Sequence, residues 1–387
     1  MRIPVWGQEY CSNPLSENQY GDILVQEVIY GSGLTPGHDE VDLAMDIYYS
    51  GENNMDLLPA VILLHGGSFI KEQGEKGQLK DVGEYFASRG FAVFSINYRT
   101  WSILRDGIPS ADDIIDVAVK ALQDAQKAIS FVIRENNGRI FPSIDVQQLI
   151  IGGVSAGAIT VNNLLYLDAQ DDIPDFFQRA LDQNQFSFGH VADDYSIAYG
   201  INLSGGILDP GWMDADEPPL ISIHGSADAI VPYEFGLVNG IIELYGSKIM
   251  DDRLHEVGVN SYLYTFDGGG HSDIYTDLAY REELLEAIDV GLSHIQEQIC
   301  LRSSSVDAPV DTKIRLINTL VEEDLILVND DVRPLSYQII DVSGRSVQVG
   351  TLPPGQDRVS LAGAPSGYYI FHVTSGAGIY AQAFVRR

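Results

Sequence analysis

Apolar positions along residues 20–300 come in short runs separated by polar, helix-length stretches. Ile23–Tyr30 and Val41–Tyr49 alternate apolar and polar residues around Gly31-Ser32-Gly33 and Pro36-Gly37, which predicts an antiparallel pair at a sheet edge. Ala60–Leu64 and Phe91–Ile96 are continuously apolar, the pattern of strands buried on both faces. Between them Leu79, Val82, Tyr85 and Phe86 share one helical face that stops at Gly90. A long helix is expected from about Ser110 to Glu135, followed after Pro142 by a strand ending near Val154. Residues 168–195 read as polar and irregular around Phe176-Phe177 and Phe186. Further strands are expected at Ala198–Leu203, Leu220–Ile223 and Tyr262–Phe266, with helices over about Glu234–Val257 and Arg281–Ile299. Strands alternating with helices predict an α/β architecture, a mostly parallel sheet covered on both sides.

The period changes near residue 302. Ser303-Ser304-Ser305 and Ala308-Pro309 read as a linker over 303–312. Residues 313–387 then alternate in short strands with Gly and Pro turns: Ile314–Leu320, Asp324–Val328, Leu335–Val342, Ser346–Val349, Arg358–Leu361, Gly367–Thr374 and Tyr380–Arg386. This is the pattern of a small all-β sandwich following the larger domain, 1–302.

Charge narrows the function classes. With 55 acidic and 23 basic residues the formal charge is −32, which repels phosphate backbones and argues against nucleic acid as a partner. No apolar run reaches membrane-spanning length, and the start, Met1–Gly7, lacks the apolar core of a signal peptide. That start fits either a cytosolic protein or one whose signal has been removed. Acidic pairs at Asp112-Asp113, Asp171-Asp172 and Asp193-Asp194 lack calcium-loop spacing and read as solvated surface. Cys11 and Cys300 are equally compatible with one disulfide and with two thiols. No metal or cofactor is expected.

The candidate chemistry sits at strand ends. Leu149–Val154 runs into Gly153-Val154-Ser155-Ala156-Gly157, the strand–turn–helix order of a nucleophile elbow. Among 38 glycines such a motif arises by chance in roughly a quarter of chains, so its partners decide. Asp228 follows the penultimate strand and His271 the last, giving the order Ser…Asp…His. Ser155 would attack an ester carbonyl, His271 would take its proton, and Asp228 would orient the imidazole. Asp209, Asp214 and Asp216 compete with Asp228. His224 is the alternative base, but it stands too close to Asp228 in sequence to sit across from it easily. The amides of Ala156, Gly67 and Ser68 would form the oxyanion hole. His65 would brace their loop. Phe69, Trp101, Trp212 and the Phe176–Phe188 segment could line a substrate pocket or belong to the core.

On these motifs, His65-Gly66-Gly67-Ser68, Asn97-Tyr98-Arg99, Ile151–Thr160, and His224–Asp228 with Val231-Pro232-Tyr233, residues of about 20 to 300 resemble the α/β-hydrolase superfamily. Within it they are similar to carboxylesterases with a His-Gly-Gly-x oxyanion loop. Ser68 in place of a third glycine, and Val154 before the serine, leave the subfamily open. The resemblance implies a serine carboxylesterase acting through an acyl-enzyme. Acetyl or feruloyl esters of plant polysaccharides, or short-chain esters, are its expected substrates. A peptidase on the same scaffold and a catalytically inactive binding or adhesion protein are the alternatives. Tyr337–Arg345, Gly367–Val373 and the final Ala381–Arg387 resemble the C-terminal sorting domain of the type IX secretion system in Bacteroidota. That implies export, with the secretion machinery as partner of 313–387 and a secreted or cell-surface location.

Overall fold

A computed structural model of the chain describes residues 19–304 except 54, 56, 189–194, 239 and 241; from 314 on it describes 314–316, 320–321, 324–329, 334–341, 345–355, 358–375 and 378–386. Two compact units divide between Ile295 and Gln296.

The first unit is built on an eight-stranded sheet. Its strands are β1 (Ile23–Leu34), β2 (Glu40–Ser50), β3 (Leu58–Leu64), β4 (Ala92–Ile96), β5 (Ile144–Val154), β6 (Ile197–Leu203), β8 (Leu220–Gly225) and β11 (Tyr262–Phe266), in the order β1-β2-β4-β3-β5-β6-β8-β11. From β4 to β11 every pairing is parallel, while β1–β2 and β2–β4 are antiparallel. All seven residues of β3 are buried. Leu58, Ala60, Ile62 and Leu64 join the core beneath a long helix, and Val61 and Leu63 are buried although they point to the opposite face. Continuous apolarity therefore reports a sheet covered on both sides.

The helices are α1 (Lys80–Ala87), α2 (Ala111–Arg134), α3 (Ala156–Tyr166), α4 (Asp175–Gln183), α5 (Ser247–Glu256) and α6 (Arg281–Ser304). Ser110 starts α2 through a capping box: its hydroxyl accepts from the Asp113 amide and the Asp113 carboxylate accepts from the Ser110 amide. One of the acidic pairs is thereby committed to a helix start.

Three expectations need correction. The stretch read as irregular contains α4, whose Phe177, Ala180 and Leu181 are buried at helical spacing. The helix expected over 234–257 is shorter. Its first half is a hairpin, β9 (Phe235–Val238) with β10 (Ile242–Gly246), which also pairs with β7 (Gly206–Ile207). Phe235 and Leu237 alternate with Gly236 and Val238 there, and Gly240 takes a positive φ of 69° at the turn. Finally, α6 carries through Ser303 and Ser304, because no Gly or Pro interrupts Gln296–Ser304. Residues 305–313, beyond its C-terminus, lie outside the described residues, as do Cys11, the Cys300 side chain and Asp193-Asp194.

The second unit carries β12 (Ile314–Leu316), β13 (Leu320–Val321), β14 (Asp324–Asn329), β15 (Leu335–Asp341), β16 (Ser346–Leu352), β17 (Arg358–Ser360), β18 (Gly367–Ser375) and β19 (Gly378–Arg386). They form a five-stranded sheet, β13-β19-β18-β15-β16, and a three-stranded one, β12-β14-β17. Leu325, Leu327 and Val359 from the smaller sheet share one core with Ile339, Phe371, Val373 and Phe384 from the larger. This is the β-sandwich that the alternating pattern predicts.

Candidate active site

Parallel strands deliver their C-terminal ends to one rim of the sheet, where the candidate residues collect. Ser155 follows β5 directly and has φ 53° and ψ −118°, a conformation an L-residue holds only at a cost of about 1–3 kcal/mol. Its amide donates to Leu203 O (2.8 Å), fixing the turn to β6. Glycine at 157 is a requirement of packing. A Cβ there would lie 2.3 Å from Leu64 O and 2.5 Å from His65 O, so α3 could not approach β3.

Asp228 stands three residues beyond β8. Its Oδ1 accepts from the amides of Ile230 (2.8 Å) and Val231 (3.0 Å). Its Oδ2 lies 2.6 Å from His271 Nδ1, and His271 Nε2 lies 2.9 Å from Ser155 Oγ. A carboxylate only accepts, so Nδ1 carries the imidazole proton and Nε2 accepts from the serine hydroxyl. Burial would raise the Asp228 carboxyl. Hydrogen bonds from His224 and His271, the electrostatic attraction of the His271 ring and the Ile230 amide outweigh it and hold the group well below the usual carboxylate range.

His224 does reach Asp228, contrary to the sequence expectation, because it lies within β8 and Asp228 folds back over the strand end. Its Nε2 is 3.1 Å from both Asp228 Oδ2 and Val231 O, and its Nδ1 is 2.7 Å from Ser247 Oγ. Fully buried and committed at both nitrogens, it orients the acid and has no path to Ser155. Behind it, Asn202 Nδ2 donates to Ser247 Oγ (2.9 Å) and Ser222 Oγ (3.0 Å). Nothing in sequence spacing marks Asn202 or Ser247; only the fold brings them behind the acid.

After β3 the chain turns through Gly67, Ser68 and Phe69, with φ 110°, 53° and 62°. Positive φ at the two non-glycine residues Ser68 and Phe69 is uncommon and marks a strained loop. Among the described residues, no acceptor takes the amides of Gly67, Ser68 or Ala156. His65 braces this loop. Its ring stacks on Tyr98 at 4.3 Å, the Tyr98 hydroxyl donates to His65 O (2.7 Å), and Nδ1 lies 2.6 Å from Gly66 O. Burial pushes the His65 imidazole down to about 4, against the opposing pull of Gly66, so the ring is neutral near pH 7. Trp101 braces the same loop by exchanging backbone hydrogen bonds with Phe69 and Lys71.

A cavity of about 440 Å³ opens beside Ser155, lined in part by Ser68, Phe69, Ala156, Ile159 and Phe177. Of the aromatic residues weighed from sequence, Phe69 and Phe177 line it. Trp101 and Trp212 do not; Trp212 stacks on Phe177 from behind at 6.4 Å.

The BD-FAE family model matches residues 45–204, a span that includes Gly67, Ser68 and Ser155 but ends before Asp228 and His271. Two solved structures of a thermophilic esterase from the Planctomycetes species Thermogutta terrifontis, one propionate-bound and one butyrate-bound, are similar to this chain. Each is 19% identical, covers 70% of this chain and 94% of its own, and superposes with a TM-score of 0.50. The first unit has the α/β-hydrolase fold. A comparison with curated proteins finds no match. Among the described residues no group of three or more His, Cys, Asp or Glu side chains could hold a metal, and no helix is long and apolar enough to cross a membrane.

Proposed function

We propose that this chain is a serine carboxylesterase whose nucleophile is Ser155. The observation that carries the reading is the continuous line Ser155 Oγ–His271 Nε2, His271 Nδ1–Asp228 Oδ2, at 2.9 and 2.6 Å, beside amides that no described residue accepts from. Ser155 Oγ attacks the ester carbonyl carbon as its proton passes to His271 Nε2. The carbonyl electron pair moves onto oxygen, where the amides of Ala156, Gly67 and Ser68 receive the charge. Collapse of the intermediate breaks the bond to the alkoxy oxygen, which leaves as alcohol with the His271 proton. Water, deprotonated by His271, then releases the acid and restores the serine. Asp228 stays ionised throughout and stabilises each imidazolium.

The BD-FAE match and the likeness to solved esterase structures support this chemistry over a peptidase or a binding-only module. Ser155→Ala should lower p-nitrophenyl ester hydrolysis by more than about 10⁴-fold with an unchanged fold by circular dichroism. Full activity in that variant would overturn the assignment.

We also infer that the C-terminal sandwich is a sorting module for type IX secretion and that the enzyme works outside the cell. The support is the resemblance of Tyr337–Arg345 and Gly367–Val373; within it, Tyr337–Asp341 belong to β15 and Gly367–Val373 to the adjacent β18. Fusing residues 313–387 to a periplasmic reporter in a secreting host tests it. Surface delivery is expected, and periplasmic retention would contradict the inference.

A further inference from the structure

The cavity beside Ser155 is apolar nearly throughout. Ile103, Ile114, Ile115, Leu122, Leu208, Leu244 and other aliphatic or aromatic side chains form its wall, with no charged residue among them. Its polar wall residues are Ser68, Gln73, Ser155, Thr160 and Asn163, and two of them are turned to the backbone: Thr160 Oγ1 donates to Ala156 O (2.9 Å) and Asn163 Nδ2 to Ile159 O (2.7 Å). Asn163 Oδ1 is a lone buried acceptor without a partner among the described residues. A sugar ring carries several hydroxyls and would leave most of them unpaired here, at a cost that excludes tight binding.

The position of His271 tells which half of an ester this space receives. The leaving oxygen must take its proton from His271 Nε2, so the alcohol lies on the His271 side. His271 is not part of the cavity wall; Ser155, Ala156 and the Ser68–Ile70 loop are. The cavity therefore opens on the acyl side. Its 440 Å³ offers room for roughly ten or more methylene-sized groups. The hairpin β9–β10 supplies Val238, Ile242 and Leu244 as one wall, and Ile103 and Pro109 carry the wall to the surface. Beside them Leu104 and Ile108 are 88% and 91% exposed, extending the apolar character outward from the mouth.

We propose that the site takes esters of medium-chain aliphatic acids, about six to twelve carbons, in preference to acetyl esters. This rests on the assignment of Ser155 as nucleophile and narrows its substrate class. Each methylene that leaves water for this wall should raise kcat/KM by up to about fourfold.

The test is kcat/KM for p-nitrophenyl acetate through dodecanoate, each below its aggregation limit. Octanoate is expected to exceed acetate on the order of a hundredfold. Ala118→Phe, which fills the cavity from the α2 side, should lower the octanoate-to-acetate ratio at least about tenfold. Acetate equal to or better than octanoate in the wild type would overturn the inference while leaving Ser155 in its role. Failure of the underlying assignment looks different: no ester is cleaved at any length, and a fluorophosphonate probe does not label the protein.

Discussion

His65 shows how one buried side chain couples the oxyanion loop to pH. Its folded pKa, about 4, lies below the ordinary histidine value of 6.5, so the unfolded chain binds the extra proton first. The neutral ring contributes its full stability above about pH 6.5, and that contribution is lost as pH falls toward 4. The loss amounts to at most about 3 kcal/mol. Urea midpoints at pH 7 and 4.5 should therefore differ more for wild type than for His65→Gln, which has no ring to protonate. An equal drop in both proteins would show that His65 does not carry the acid sensitivity. The same residue could be assigned a bracing role from sequence because histidine ends an apolar strand there. That its ring stacks on Tyr98 could not, since the contact depends on how β4 exits the sheet.

Between elements, the most consequential polar contact is Arg99 with Asp124. Arg99 follows β4, Asp124 lies on α2, and both are buried. The guanidinium makes three hydrogen bonds to the two carboxylate oxygens at 2.8–3.1 Å, and the Arg99 amide adds a fourth. Arg99→Ala leaves Asp124 buried without its main partner, which should cost about 3–5 kcal/mol. Chemical denaturation measures this, and a change under about 1 kcal/mol would mean that water or Lys127 replaces the guanidinium. Elements with one strong period were legible in the sequence: β3, β4, the two ends of α2, and the elbow. The hairpin at 235–246 was not, because Val238, Ile242, Tyr245 and Ile249 recur at helical spacing and mask the strand alternation of Phe235 and Leu237. That misreading hid the wall of the acyl cavity. The order Ser155, Asp228, His271 was visible because each follows a strand, whereas His224, Ser247 and Asn202 gain their meaning only from packing behind Asp228.

For the whole molecule, an excess of 32 negative charges sets a background of self-repulsion on which local ion pairs are superimposed. Salt screens such repulsion within about 10 Å at 0.1 M. Raising sodium chloride from about 10 mM to about 0.3 M should raise the melting temperature, by about 1–2 °C for each kcal/mol of repulsion relieved. A lower melting temperature would indicate that ion pairs such as Lys76 with Glu27 and Asp46 outweigh the net charge.

Every step of the proposed chemistry turns on Ser155 as the residue that would form the acyl-enzyme. The most direct measurement is the intact mass of the protein after reaction with a fluorophosphonate, followed by mapping of the modified peptide. One adduct per chain, located on Ser155 and lost in Ser155→Ala, is the predicted result. Stoichiometric labelling of another residue, or none in a folded protein that still cleaves esters, would contradict it.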